Sequence, residues 1–188
     1  MSAKPLIIGL GGTTRAGSTT ERCMLASLAH AQTLGCDVLA LTGPELPTEV
    51  FEPGATHRSP AALKLVDALR RADGLIVASP SYHGLLSGLL KNALDYAEDL
   101  RTDARVYLQD RAVGCIVCAE GAQALGSTLV SLRSIIHALR GWPTPFGAAI
   151  HTASRPVDAH GNITDPAALK ACQTVAEEVV RFARHFKT

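Results

Sequence analysis

The sequence predicts a doubly wound α/β fold, with five parallel strands in the order 2-1-3-4-5 and helices on both faces of the sheet. Two observations predict it. Short apolar runs alternate with stretches of helical spacing along the whole chain, the pattern of repeated strand–helix–strand crossovers. Glycines, prolines and hydroxyls collect after the first and third apolar runs, and a short glycine turn follows the fourth. Sheets of this kind bind ligands in such loops, at the carboxyl ends of the strands. No repeat, low-complexity tract or linker breaks the pattern, so residues 1–188 form one expected domain.

The elements follow in order. Residues 5–12 are an apolar run ending in glycines, a buried parallel strand. Residues 18–34 put Met24, Leu25, Leu28 and Ala29 on one helical face. Residues 36–41 form the second strand, and residues 42–58, with Gly43, Pro44, Pro47, Pro53 and Gly54, an irregular loop. Ser59-Pro60 opens a helix with proline in its first turn, and Leu63, Val66 and Leu69, widened by Leu65, make its apolar face. Residues 74–79 are the central strand, ended by Pro80. A helix over 86–100, a strand over 113–119, a helix over 123–140 closed by Gly141, and a fifth strand over 146–151 come next. Asp165-Pro166 caps the last helix, which runs to about Phe186.

Composition narrows the function. With 47% hydrophobic residues, 19% charged residues and a net charge of +1, the chain has a solid core and no general basic footprint for nucleic acid or an anionic membrane. No segment approaches the roughly 20 apolar residues of a membrane span. The first apolar run is too short for a secretory leader, so the expected location is cytoplasmic. The five cysteines are scattered. Cys115 and Cys118 form a C-x-x-C on a strand, where residues three apart face opposite ways, so they read as buried thiols rather than a metal or redox pair. No G-x-S-x-G occurs, so no hydrolytic triad is assigned, and no clustered metal ligands occur, so no metal residue is assigned.

The loop after the first strand is Gly11-Gly12-Thr13-Thr14-Arg15-Ala16-Gly17-Ser18-Thr19-Thr20. It joins flexible glycines, five hydroxyls and one guanidinium to a helix start, whose free amides and positive dipole end suit a phosphate monoester. A P-loop's Gly-Lys-Ser/Thr is missing. A dinucleotide fingerprint fails at Thr14, and the second strand ends Leu41-Thr42-Gly43 without the ribose-binding acid. The plainer alternative is a tight turn whose Ser18–Thr20 only cap the helix. Such a turn has no use for the arginine.

After the third strand comes Ser79-Pro80-Ser81-Tyr82-His83-Gly84, then Leu90-Lys91-Asn92-Ala93-Leu94-Asp95. Pro80 stiffens the exit and Gly84 lets backbone approach a flat ligand. With the first loop, these motifs make the chain resemble the NAD(P)H-dependent FMN reductases of flavodoxin-like fold. That family carries G-S-x-R-x-x-S after strand one, then P-x-Y-[NH]-G and L-K-N-x-x-D after strand three. The stretch Ala72-Asp73-Gly74-Leu75-Ile76-Val77 fits as well, and the likeness thins after Ala122 and in the 42–58 loop.

The resemblance implies that Thr13, Arg15, Ser18 and Thr20 hold the FMN phosphate, with Thr19 beside them. It implies that Pro80, Ser81, Tyr82, His83 and Gly84 meet the ring. The loop Glu120-Gly121-Ala122 would border its pyrimidine edge, with Glu120 turned to solvent. Thr13 stands where the family usually has Ser, Thr20 where it often has Asn, and Ala122 where it has a second glycine. The expected activity is hydride transfer from NAD(P)H to FMN and on to a small-molecule acceptor: free flavin, a quinone, an azo compound or a metal oxyanion. A flavin-dependent monooxygenase is a further implied partner. A non-enzymatic flavodoxin-type carrier and a regulatory nucleotide-binding domain without flavin stay open as alternatives. The apolar stripe Leu86, Leu89, Leu90, Ala93, Leu94 and Ala97 is wider than one buried face needs, which points to a homodimer or homotetramer.

Overall fold

The computed structural model describes residues 4–186. In chain order the elements are β1 (Leu6–Gly11), α1 (Thr19–Thr33), β2 (Asp37–Leu41), α2 (Pro60–Arg71), β3 (Gly74–Tyr82), β4 (Leu85–Leu86), α3 (Gly88–Asp95), β5 (Ala112–Ala119), α4 (Ala122–Ala138), β6 (Trp142–Pro143), β7 (Ala148–His151) and α5 (Pro166–Phe186). The sheet order is β2-β1-β3-β5, with β6 and β7 both parallel to β5 and β4 antiparallel to β3. The doubly wound fold expected from the sequence is present, but with seven strands instead of five.

Side chains alternate across each strand, so one sequence serves two cores. Ile8, Leu10, Leu75, Val77, Val113, Cys115 and Val117 pack under α2, α3 and α4. Ile7, Ile76, Ala78, Ile116 and Cys118 pack under α1 and α5. Cys115 and Cys118 therefore lie on opposite faces, and the five cysteines are buried thiols outside any disulfide among the described residues.

Four expectations need correction. Pro80 does not end the central strand: β3 runs on to Tyr82, with Pro80 opposite Cys118. The reason is its position. Ala78 faces β1, since its carbonyl accepts from the Gly12 amide at 2.8 Å. Pro80, two residues on, faces the same side, where β1 has already ended at Gly11, so its missing N–H breaks no ladder. The fifth strand expected over 146–151 is the shorter β7, with the separate two-residue β6 before it: the Trp142 and Thr144 amides donate to the Arg111 and Val113 carbonyls at β5, but the Phe146 amide donates to Glu178 Oε2 at 2.9 Å and leaves the ladder. The predicted helix over 86–100 is a short α3 followed by a 3-10 segment Tyr96–Leu100, and Leu86 belongs to β4. Its apolar stripe is mostly filled within the chain: Leu90, Ala93, Leu94 and Ala97 are buried, while Leu86 and Leu89 are half-buried.

Candidate active site

At the carboxyl ends of β1, β3 and β5 lies a cleft of about 300 Å³. Its size falls within the range of small-molecule sites. One end is the loop before α1. Ser18 is the N-cap: its hydroxyl accepts from the Glu21 amide at 3.2 Å. Thr13 Oγ1 accepts from the Arg15 amide at 3.2 Å. Each hydroxyl keeps its own hydrogen to donate to a ligand. Thr13, Thr14, Arg15, Ser18, Thr19 and Thr20 all line the cleft. Arg15 is exposed, and its guanidinium has no protein acceptor among the described residues.

The opposite wall is Pro80, Ser81 and Tyr82. Tyr82 is 57% exposed and offers a bare ring. Ser81 Oγ turns away, 2.7 Å from Thr128 Oγ1 in α4, so a ligand would meet its main chain. His83 and Gly84 have φ of 54° and 85° and form the two-residue turn between β3 and β4, with positive φ at both central positions as a type I′ hairpin demands. Ser127 Oγ donates to the Gly84 carbonyl at 2.9 Å and docks this tip on α4.

The third side is Cys118, Ala119 and Glu120, with Thr152 from the segment after β7. Glu120 is exposed. Gly121 is the N-cap of α4 without a side-chain cap, which leaves first-turn amides available. Of the residues singled out from the sequence, Thr13, Arg15, Ser18, Thr19, Thr20, Pro80, Ser81, Tyr82 and Glu120 line the cleft. His83, Gly84, Gly121 and Ala122 adjoin these in sequence but lie outside the lining.

Several supporting residues carried no motif. Ser79 Oγ donates to the Pro80 carbonyl at 2.8 Å and accepts from the Ser87 amide at 3.0 Å. Ser87 Oγ donates to the Gly12 carbonyl at 2.6 Å. Ser79 and Ser87 are buried, so these bonds tie the phosphate-type loop to the ring-type loop. Gly43, after β2, backs the first loop: a Cβ there would fall 1.8 Å from the Thr13 carbonyl oxygen. Beneath the floor, hydrogen bonding to Cys118 and then Cys172, together with burial, pushes the Cys23 thiol up, so it stays protonated.

The arrangement fits a flat ring with a phosphate tail. Hydroxyls, helix amides and an unfilled guanidinium stand at one end, and a stiff wall with an aromatic edge at the other. Comparison with known proteins agrees. The description of the NADPH-dependent FMN reductase family matches residues 5–154. An FMN-dependent NADPH-azoreductase of Staphylococcus aureus is 39% identical over 80 residues, a segment that is 43% of this chain and 39% of the azoreductase. The match thus spans about two fifths of that relative's length. The flavoenzyme NAD(P)H:(acceptor) oxidoreductase FerB of Paracoccus denitrificans superposes with a TM-score of 0.75 at 20% identity, covering 97% of this chain and 98% of that one. An NADH:FMN oxidoreductase in its apo form gives 0.65 at 21% identity, covering 98% and 89%. At such identities the superpositions establish the fold.

Proposed function

The chain belongs to the NADPH-dependent FMN reductase family, and from that premise we propose that it binds FMN in this cleft as a single domain over residues 1–188 and acts as an NAD(P)H-dependent oxidoreductase. The observation that carries the reading is Arg15: an exposed guanidinium without a protein acceptor, beside the α1 N-terminus and facing the Tyr82 wall across one cleft. Bound FMN would supply the redox chemistry, taking a hydride from NAD(P)H and passing electrons to a small acceptor such as free flavin, a quinone, an azo compound or a metal oxyanion.

The protein's own part is positioning. Thr13, Arg15, Ser18, Thr19 and Thr20 hold the phosphate. Main-chain groups of Pro80, Ser81 and Tyr82 hold one ring edge, with His83 and Gly84 shaping the tip, and Glu120, Gly121 and Ala122 border the other. No side chain is assigned a proton transfer.

Other features fit the same reading. Five buried cysteines outside any disulfide among the described residues suit the reducing cytoplasm. Among the described residues no helix is long and apolar enough to cross a membrane. Tyr82 and Leu85, 57% and 55% exposed beside the cleft, support a homodimer or homotetramer that covers the hairpin. They are also a surface on which a flavin-dependent monooxygenase could receive reduced flavin.

Titration with FMN, FAD and riboflavin, followed by NAD(P)H oxidation with FMN present, tests the reading. FMN should bind best and turnover should need it. FMN binding without NAD(P)H oxidation would make the chain an electron carrier, and absence of flavin binding would sink the proposal.

A further inference from the structure

Three cysteines meet beneath the cleft. Cys23 of α1, Cys118 of β5 and Cys172 of α5 are buried in one core cluster. Cys118 also lines the cleft, as no other cysteine among the described residues does. Thr20 lines it too, and Cys23 follows Thr20 by three positions, on the same face of α1 and fully buried. The helix therefore sets Cys23 one level under the wall that Cys118 helps to form. Ser27 Oγ lies 3.0 Å from both the Cys23 and the Cys172 carbonyl oxygens and ties α1 to α5 at that level. The Cys23 thiol hydrogen-bonds with Cys118 and with Cys172.

Packing accounts for a small apolar side chain at each of these positions. It does not account for sulfur beside sulfur in a chain that starts at the cleft. Cys115, in the opposite core, shows the plainer role. Its Sγ is 3.8 Å from the Val113 carbonyl oxygen, and burial pushes its thiol up to about 12. Cys23 differs because its neighbours are thiols, one of them within reach of a small molecule in the cleft.

We propose that Cys118 and Cys23 form a peroxide-reactive dithiol, with Cys118 taking the oxidant from the cleft and Cys23 resolving it to a disulfide that joins β5 to α1. The Cys118 sulfur attacks one oxygen of hydrogen peroxide. The O–O bond breaks, and the other oxygen leaves as water with the thiol proton, so Cys118 becomes a sulfenic acid. The Cys23 sulfur then attacks the Cys118 sulfur. The S–S bond forms, the S–O bond breaks, and the hydroxyl leaves as water with the Cys23 proton. Two thiols are oxidised, and one peroxide is reduced to two waters. None of this requires flavin in the cleft, so it stands or falls apart from the FMN reading.

The flavin-free full chain is treated with hydrogen peroxide, blocked with a thiol alkylator, unfolded and mapped by mass spectrometry. Two of the five thiols should escape alkylation, in a Cys23–Cys118 crosslinked peptide that dithiothreitol releases. Cys115→Ala should leave the crosslink in place. Cys118→Ala and Cys23→Ala, each shown folded by a thermal melt, should abolish it, and Cys23→Ala should instead leave a dimedone-reactive sulfenic acid on Cys118. The mapping of the unaltered chain decides the matter even if these variants fold poorly. Five unmodified thiols after treatment, a Cys23–Cys172 crosslink in place of Cys23–Cys118, or a sulfenic acid that persists on Cys118 beside an intact Cys23 would overturn the proposal.

Discussion

At the amino ends of the strands Arg111 is 1% exposed, and main-chain carbonyls fill its guanidinium: Ala72 on Nε at 3.0 Å, Tyr107 and Gln109 on Nη1 at 3.1 and 3.2 Å, and Arg70 on Nη2 at 2.9 Å. At the carboxyl ends Arg15 is exposed with no such acceptors. Backbone strain divides the same way. Tyr107 and Asp110, with φ of 54° and 58°, shape the loop whose carbonyls meet Arg111, whereas His83 and Gly84 shape a hairpin tip beside the cleft. Burial pushes Arg111 down to about 10, still high enough to keep its donors at neutral pH. A buried guanidinium that gives four hydrogen bonds to main-chain carbonyls holds the fold. One whose donors are unused is available for an oxygen ligand.

Substitution at each end should break this comparison differently. Arg111→Met leaves the Arg70, Tyr107 and Gln109 carbonyls without this donor and the Ala72 carbonyl with Arg105 Nη1 alone, and should cost about 3–5 kcal/mol, read as a fall in Tm, because buried acceptors lose their partners. The ratio of FMN to riboflavin affinity in the surviving folded fraction should not change. A stable Arg111→Met variant would show that the amino-end cage is dispensable.

Gly84→Val comes next. It forces a β-branched residue to φ 85° and sets its Cβ 3.3 Å from Ser127 Oγ. About 1–3 kcal/mol of strain should undock the tip, and NAD(P)H oxidation should drop by roughly tenfold or more as ring positioning is lost. Full turnover with an unchanged melt would show that the hairpin does not shape the site.

Arg15→Ala should leave the melt almost untouched, since the protein uses none of its donors. FMN affinity should fall by roughly one to two decades, the worth of a charge-assisted phosphate contact of about 1.5–3 kcal/mol, while riboflavin affinity stays the same. Equal losses for both flavins would make Arg15 structural, and the contrast with Arg111 would fail.

The carboxyl-end machinery was the more legible in the sequence. Arg15, Ser18 and Tyr82 stand out because they break local patterning: a cation among glycines, a hydroxyl at a helix start, an aromatic after Pro80. The parallel strands were legible for the same reason, as unbroken apolar runs. Arg111 was not, because its acceptors come from residues 70, 72, 107 and 109, and only the fold brings these together. Ser79, Ser87 and Gly43 escaped likewise: their roles lie in hydrogen bonds and close approach between loops distant in sequence. Pro80 misled because a strand-breaking residue is harmless once its own side of the ladder has ended.

His83 gives the smallest expected effect and the sharpest test of the residue-poor mechanism. It is exposed, holds φ 54°, and forms no hydrogen bond among the described residues. The turn asks for a residue at ease in the left-handed region, and asparagine before glycine suits a type I′ hairpin better than histidine does. His83→Asn should therefore raise stability by about a few tenths of a kcal/mol and keep FMN affinity and turnover within about twofold. His83→Ala, which lacks asparagine's tolerance of that region, should lower stability slightly and turnover modestly. The hydride step itself moves no proton through a side chain, so losing the imidazole removes packing at the rim and nothing more. If His83→Asn abolished NAD(P)H oxidation while FMN stayed bound, the imidazole would be delivering a proton to the acceptor. The carboxyl end would then hold a chemical group as well as a ligand-binding one.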